Sequence, residues 1–194
     1  MNLIYLHGFQ SSALSIKGQY LQAYCEQHPD YRLHLPDLNR PPEQVMSLMS
    51  EMIQDLDQVA LIGSSLGGFY ATQLVAKHHI PAVLINPAMR PWQLFGDLFG
   101  TIHLPYVVSA EWTLDLMQLD QLEQMALPFV QDADKILVLL QQQDAVLDYR
   151  EALHYYSHAQ HQSIVISEAY GSHAMDNFAE KIPMVLQFLS AGLK

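Results

Sequence analysis

The sequence contains one cysteine, nine basic residues and no long apolar run, and each shortage excludes something. Cys25 has no partner for an internal disulfide, so the fold must rest on a hydrophobic core. The nine Lys and Arg are scattered and stand against 20 Asp and Glu, giving a formal charge of −11. Nucleic-acid recognition needs a basic face that neutralises phosphates, so DNA and RNA are excluded as expected partners. Apolar stretches such as Lys135-Ile-Leu-Val-Leu-Leu140 fall far short of the roughly 20 residues that cross a bilayer, and no membrane association is expected. The first residues, Met-Asn-Leu-Ile-Tyr-Leu-His-Gly, carry no basic region ahead of their apolar part and do not read as a secretory signal. Together with the lone cysteine, this points to a cytoplasmic location.

What is present suits a folded enzyme-sized domain. Half of the 194 residues are hydrophobic and only 15% are charged, which argues against disorder. The length fits one domain over 1–194, as a monomer or small homo-oligomer. Short apolar segments at Asn2–Leu6, Tyr31–Leu35, Val59–Ile62, Ala82–Asn86, Ile136–Leu140 and Ser163–Ser167 read as strands covered on both faces. Helical patterns at Ala13–Gln27, Pro42–Leu56, Leu66–His79, Tyr149–Ala159 and Asn177–Leu189 alternate with them. That alternation predicts an α/β fold: a mostly parallel, doubly wound sheet of about six strands with helices on both faces. The interval 87–134 has no convincing strand and reads as short helices, either a minimal helical cap or packing at the sheet edge.

The sharpest chemical signal is Gly63-Ser64-Ser65-Leu66-Gly67-Gly68, which follows an apolar strand and opens a helix. This is G-x-S-x-G in the strand–turn–helix setting of a nucleophile elbow. The turn is tight enough to favour Gly63 and Gly67, and it projects the Ser65 hydroxyl above the sheet. A Walker loop is excluded because its lysine is missing, and a dinucleotide fingerprint because G-x-G-x-x-G is absent.

A serine hydroxyl is a poor nucleophile near neutral pH, so a base and an orienting acid are required, in the chain order Ser, acid, His. Of ten His, His173 alone lies in a turn between the last predicted strand and the last helix. The acid belongs after the strand at 136–140, where Asp144 is favoured and Asp148 is a rival better suited to capping the next helix. Oxyanion donors are expected from the backbone N–H of Leu66 and of Phe9, the latter in a His7-Gly8-Phe9-Gln10 loop that follows the first strand. Gln10 is the second choice there and a candidate substrate contact, and His7 reads as a brace for the loop. Arg90 reaches the same sheet edge and could meet a substrate anion, although pairing with a structural acid suits it better. Trp92, Phe95, Phe99 and Trp112 could line an acyl pocket, but their irregular spacing reads more simply as core.

His-Gly-Phe-Gln-Ser-Ser at 7–12, Gly-Ser-Ser-Leu-Gly-Gly-Phe-Tyr-Ala-Thr at 63–72, Asn-Pro-Ala-Met-Arg-Pro at 86–91, Gln-Gln-Asp-Ala-Val-Leu-Asp-Tyr-Arg at 142–150 and Gly-Ser-His-Ala at 171–174 resemble the YqiA-type bacterial esterases. These are small, nearly lidless members of the α/β-hydrolase superfamily. The resemblance spans the chain and implies a Ser65–Asp144–His173 triad acting on small-molecule carboxylic esters or acyl-CoA thioesters, without a metal or organic cofactor. Two positions depart from the pattern: Gln143 precedes Asp144 where Gly is usual, and Ser172 precedes His173 where Asn is common. The first keeps Asp148 open as the acid. A non-catalytic binding protein on the same scaffold is the remaining alternative.

Overall fold

The computed structural model describes residues 1–100, 103–158 and 160–193. In chain order the elements are β1 (Asn2–Leu6), α1 (Ile16–Gln27), β2 (Arg32–His34), α2 (Pro42–Asp55), β3 (Val59–Ser64), α3 (Leu66–His78) and β4 (Ala82–Ile85). They continue with α4 (Pro91–Phe99), β5 (Tyr106–Val107), β6 (Thr113–Leu114), α5 (Leu116–Met125), β7 (Ile136–Gln141) and α6 (Tyr149–Tyr156). The chain ends with β8 (Ser157–His158), β9 (His161–Gln162), β10 (Ile164–Glu168) and α7 (Phe178–Gly192).

Six strands form one sheet in the order β10-β7-β4-β3-β1-β2, and every neighbouring pair is parallel. The apolar runs are near-continuous because both faces are covered. Alternate residues serve the two sides. Ile4, Leu61, Leu84 and Val138 pack against α2, α3, α5 and α6. Their chain neighbours Leu3, Ile62, Val83 and Leu137 pack against α1 and α7. Cys25 belongs to this second layer, where burial pushes its thiol pKa up.

The element boundaries differ from expectation where local contacts intervene. The helix expected to Ala159 stops at Tyr156, because Ser157 and His158 turn into a short antiparallel pairing with His161 and Gln162; Ala159 itself lies outside the described residues. Among its described residues, the interval 87–134 holds two α-helices, and also a hairpin of two-residue strands, Tyr106–Val107 with Thr113–Leu114, that the sequence pattern does not predict. Among the described residues, no helix is long and apolar enough to cross a membrane.

Parallel strands all present their C-terminal ends at one edge of the sheet. The loops after β10, β7, β4, β3 and β1 therefore lie side by side in that order. These loops carry His173, Asp144, Asn86, Ser65 and Gly8.

Candidate active site

Ser65 sits between β3 and α3 with φ 54 and ψ −119, a left-handed conformation rare for any residue but glycine. Such strain costs on the order of 1–3 kcal/mol and persists only where surroundings enforce it. Here they do. The Ser65 N–H donates to Ile85 O at 3.0 Å, and its carbonyl accepts from Gly68, Phe69 and Ala88 at 2.9, 3.2 and 3.0 Å. The elbow glycines have no room for a side chain: a Cβ on Gly67 would lie 2.0 Å from Leu6 O, and one on Gly63 2.5 Å from Gly67 O. Ser64 and Leu66 are buried, whereas Ser65 is only half-buried. The turn thus presents one hydroxyl and hides its neighbours.

His173 Nδ1 lies 2.6 Å from Asp144 Oδ2. The Asp144 side chain is 1% exposed and the His173 ring 27%, so the acid is sealed and the imidazole stays accessible. Asp144 Oδ1 accepts from the N–H groups of Val146 and Leu147 at 2.8 and 2.9 Å. Burial pushes the Asp144 pKa up, but the hydrogen bond from His173 and those two N–H groups outweigh it and hold the carboxyl below its ordinary range. An ionised carboxylate can only accept, so Nδ1 carries a proton. In the neutral ring this leaves the lone pair on Nε2.

Asp148, the rival acid, is the N-cap of α6 and accepts from Arg150 N at 3.0 Å. The structure brings Asp144, not Asp148, to the imidazole. Gln143, flagged by its departure from Gly, is not among the residues at positive φ, so the turn before Asp144 does not need glycine.

The loop after β1 closes the other side. A Cβ on Gly8 would lie 3.2 Å from Ser65 Cβ and 3.7 Å from its Oγ, so the backbone of residue 8 passes directly against the nucleophile position. His7 is 1% exposed and braces that loop as expected. Its Nε2 accepts from Leu38 N at 2.9 Å, which places the ring proton on Nδ1, where it donates to Gly8 O at 2.8 Å. The Phe9 ring is held by Phe95 at 4.4 Å and by Trp112, edge-on, at 5.7 Å between centroids. Phe95 and Trp112 are buried core, which is the simpler of their two expected roles.

Two residues considered for substrate contact are already engaged. Arg90 is ion-paired with Glu151, so its charge is matched within the protein. Gln10, at φ 51, donates its amide to the Tyr106 hydroxyl at 2.7 Å and ties the loop after β1 to the β5–β6 hairpin.

Asn86 is a site residue that the sequence motifs do not single out. Its Oδ1 accepts from Gln141 N at 2.9 Å, and its Nδ2 donates to the carbonyls of Ser172 and His173 at 3.4 and 3.2 Å. One buried amide therefore links the ends of β4 and β7 to the histidine loop. Its sequence signal is that it opens the Asn-Pro-Ala-Met-Arg-Pro stretch at 86–91, which carries the resemblance without giving Asn86 a role. Among the described residues, no group of His, Cys, Asp and Glu could hold a metal ion.

Comparison with known proteins agrees with this architecture. The family model of the uncharacterised protein family UPF0227 matches residues 2–190. The UPF0227 protein YcfP of Escherichia coli O9:H4 (strain HS) is 25% identical over 198 residues, covering 98% of this chain and 99% of that protein. YcfP of Salmonella paratyphi B is 28% identical over 162 residues, covering 79% and 83%. Among solved structures, mouse alpha/beta hydrolase domain-containing protein 10 superposes with a TM-score of 0.75 at 13% identity, over 100% of this chain and 90% of that one. Est1E from Butyrivibrio proteoclasticus with ferulic acid bound gives 0.72 at 14%, over 99% and 89%. The resemblance read from the motifs is borne out: the chain has the α/β-hydrolase fold and belongs to the UPF0227 family.

Proposed function

We propose that this protein is a serine hydrolase that cleaves carboxylic esters through an acyl-enzyme. The observation that carries the reading is the enforced left-handed backbone of Ser65 at the strand–helix junction, on the sheet edge that also carries an imidazole whose Nδ1 is held by a sealed carboxylate. Similarity to esterases and other hydrolases of the same fold supports it.

In this reading Ser65 Oγ attacks the acyl carbon while its proton passes to His173 Nε2. Asp144 stabilises the imidazolium and keeps the ring in the required tautomer. The backbone N–H groups of Phe9 and Leu66 donate to the developing oxyanion, and the positive end of α3 adds to the same field. Collapse of the tetrahedral intermediate expels the alcohol, which takes the proton from His173 Nε2. Water then gives a proton to the same nitrogen and attacks the acyl-enzyme, releasing the acid and restoring Ser65. Gly8 keeps its loop close enough for Phe9 to take part. The residues of 87–134 act as a minimal cap that holds this loop through Phe95, Tyr106 and Trp112.

The test is turnover of p-nitrophenyl acetate and butyrate by the native protein and by Ser65→Ala. Native turnover with loss of at least about 10³-fold in the variant is expected. Equal turnover by the two proteins would refute the mechanism. The same native protein, offered acyl-CoAs of matched chain length, separates ester from thioester preference.

A further inference from the structure

Gln141, the last residue of β7, serves two loops at once. Its N–H donates to Asn86 Oδ1 at 2.9 Å, and its carbonyl accepts from Asp144 N at 3.2 Å, closing the turn that carries the acid. Its side chain, in a residue only 1% exposed, serves the histidine loop. There Nε2 donates to Glu168 Oε2, at the end of β10, at 2.5 Å, and lies 3.5 Å from Asn177 Oδ1. Glu168 also accepts from Asn177 Nδ2 at 3.2 Å and from the Lys181 ammonium in the first turn of α7. Bonds to an ionised acceptor are stronger than neutral ones. Residues 169–176, which carry His173, are thus pinned at both ends to one carboxylate, and that carboxylate is bonded to Gln141.

The middle of the loop meets the same amide. Gly171 has φ 106, and a Cβ there would lie 2.5 Å from Gln141 Cδ and closer still to Oε1. The backbone of residue 171 therefore packs directly on the Gln141 side chain, two residues before the imidazole. The 2.6 Å bond between His173 Nδ1 and Asp144 Oδ2 joins two separate loops, so its geometry depends on what those loops share.

We propose that Gln141 is a positioning residue for the His173–Asp144 pair: its main chain fixes the turn of the acid, and its side chain, through Glu168 and Gly171, fixes the loop of the base. In the serine-hydrolase reading, on which this role rests, the pair activates Ser65, and Gln141 acts only through other residues. Catalytic geometry is unforgiving of such a part being lost, since misplacement by about 1 Å can cost about 10²-fold.

The test is Gln141→Met, which keeps the backbone bonds and a similar volume but removes the amide. Ring nitrogen shifts of His173 are read by multiple-bond ¹H–¹⁵N correlation at a pH where the ring is neutral, with signals assigned by their loss in His173→Ala. The native ring should carry its proton on Nδ1 and leave Nε2 bare. In Gln141→Met the ring should become a mixture of tautomers, and kcat for p-nitrophenyl butyrate should fall at least about tenfold with KM changed less than about twofold. A role in stability alone would lower Tm and leave the ring of the folded molecules native. Lys181→Met, which takes the cation from Glu168 at the far side of the network, should shift the tautomers the same way to a smaller extent, and Lys181→Arg should restore them. A native ring in folded Gln141→Met overturns the proposal; if that variant does not fold, a native ring in Lys181→Met overturns it instead. A wild-type ring protonated on Nε2 overturns both this role and the catalytic reading. The expected ring response in a protein that turns over no ester would keep the positioning role and remove the proposed reaction.

Discussion

The side-chain amide of Asn86 holds the backbone carbonyl of His173 at 3.2 Å, across 87 residues of sequence. The same side chain takes the N–H of Gln141, at the end of the strand that leads to Asp144. The proposed base and the strand that delivers its acid are thus anchored to one residue, itself held at φ 41.

Asn86→Ala removes these bonds and leaves the buried Gln141 N–H without its partner, a loss of roughly 1–3 kcal/mol of stability. Displacement of the histidine loop by about 1 Å would lower kcat/KM by about 10²-fold with little change in the proposed oxyanion donors. Steady-state kinetics on p-nitrophenyl butyrate, beside a thermal melt, checks both.

The two aspartates of the acid loop should separate cleanly. Asp144→Asn cannot hold the Nδ1–H tautomer in the same way and should reduce kcat by about 10³–10⁴-fold, as in Ser-His-Asp triads generally. Asp148→Ala loses a helix cap and an exposed ion pair with Arg150, together about 1 kcal/mol, and should leave kcat within a factor of two or so. Activity assays of both variants at matched folded fraction decide between them.

The depressed pKa of Asp144 also predicts a pH signature. Its ordinary value is 3.8, and the folded value lies below it. The stabilisation from ionised Asp144 is therefore fully present above the unfolded-state value and is lost as pH falls through the folded one. Denaturant titrations of native protein and Asp144→Asn should differ near neutral pH and converge only below about 4.

Two glycines give opposite stability predictions. Gly67→Ala would drive a Cβ into Leu6 O and Leu6 C, at the junction of the elbow and β1, and should prevent native folding. Gly96 lies in the middle of α4, and a methyl group there would meet nothing within 4 Å. Gly96→Ala should stabilise by up to about 1 kcal/mol, raising Tm by roughly 2–4 °C. Circular dichroism melts read both.

The elbow is legible in sequence because its constraints are local. Gly63, Ser65 and Gly67 sit within five residues, between an apolar run and a helical one, and that spacing states the turn directly. The placement of Asp144 and His173 follows from topology, since parallel strands bring successive C-terminal loops to one edge. Asn86 is not legible, because its three bonds span 55 to 87 residues and nothing in its immediate neighbours announces them. Arg90 can be read two ways because an ion pair with Glu151 depends on how α4 and α6 approach, which no local pattern encodes. The β5–β6 hairpin escapes for a different reason: strands of two residues carry no periodicity.

Active-site labelling distinguishes an activated Ser65 nucleophile from an ordinary hydroxyl. A fluorophosphonate should add once per native chain, with the adduct mapped by peptide mass spectrometry to Ser65, and the rate of addition should fall at least about 10²-fold in His173→Ala. An adduct on another residue, or labelling of Ser65 that is indifferent to His173, would refute the Ser65–His173 pairing.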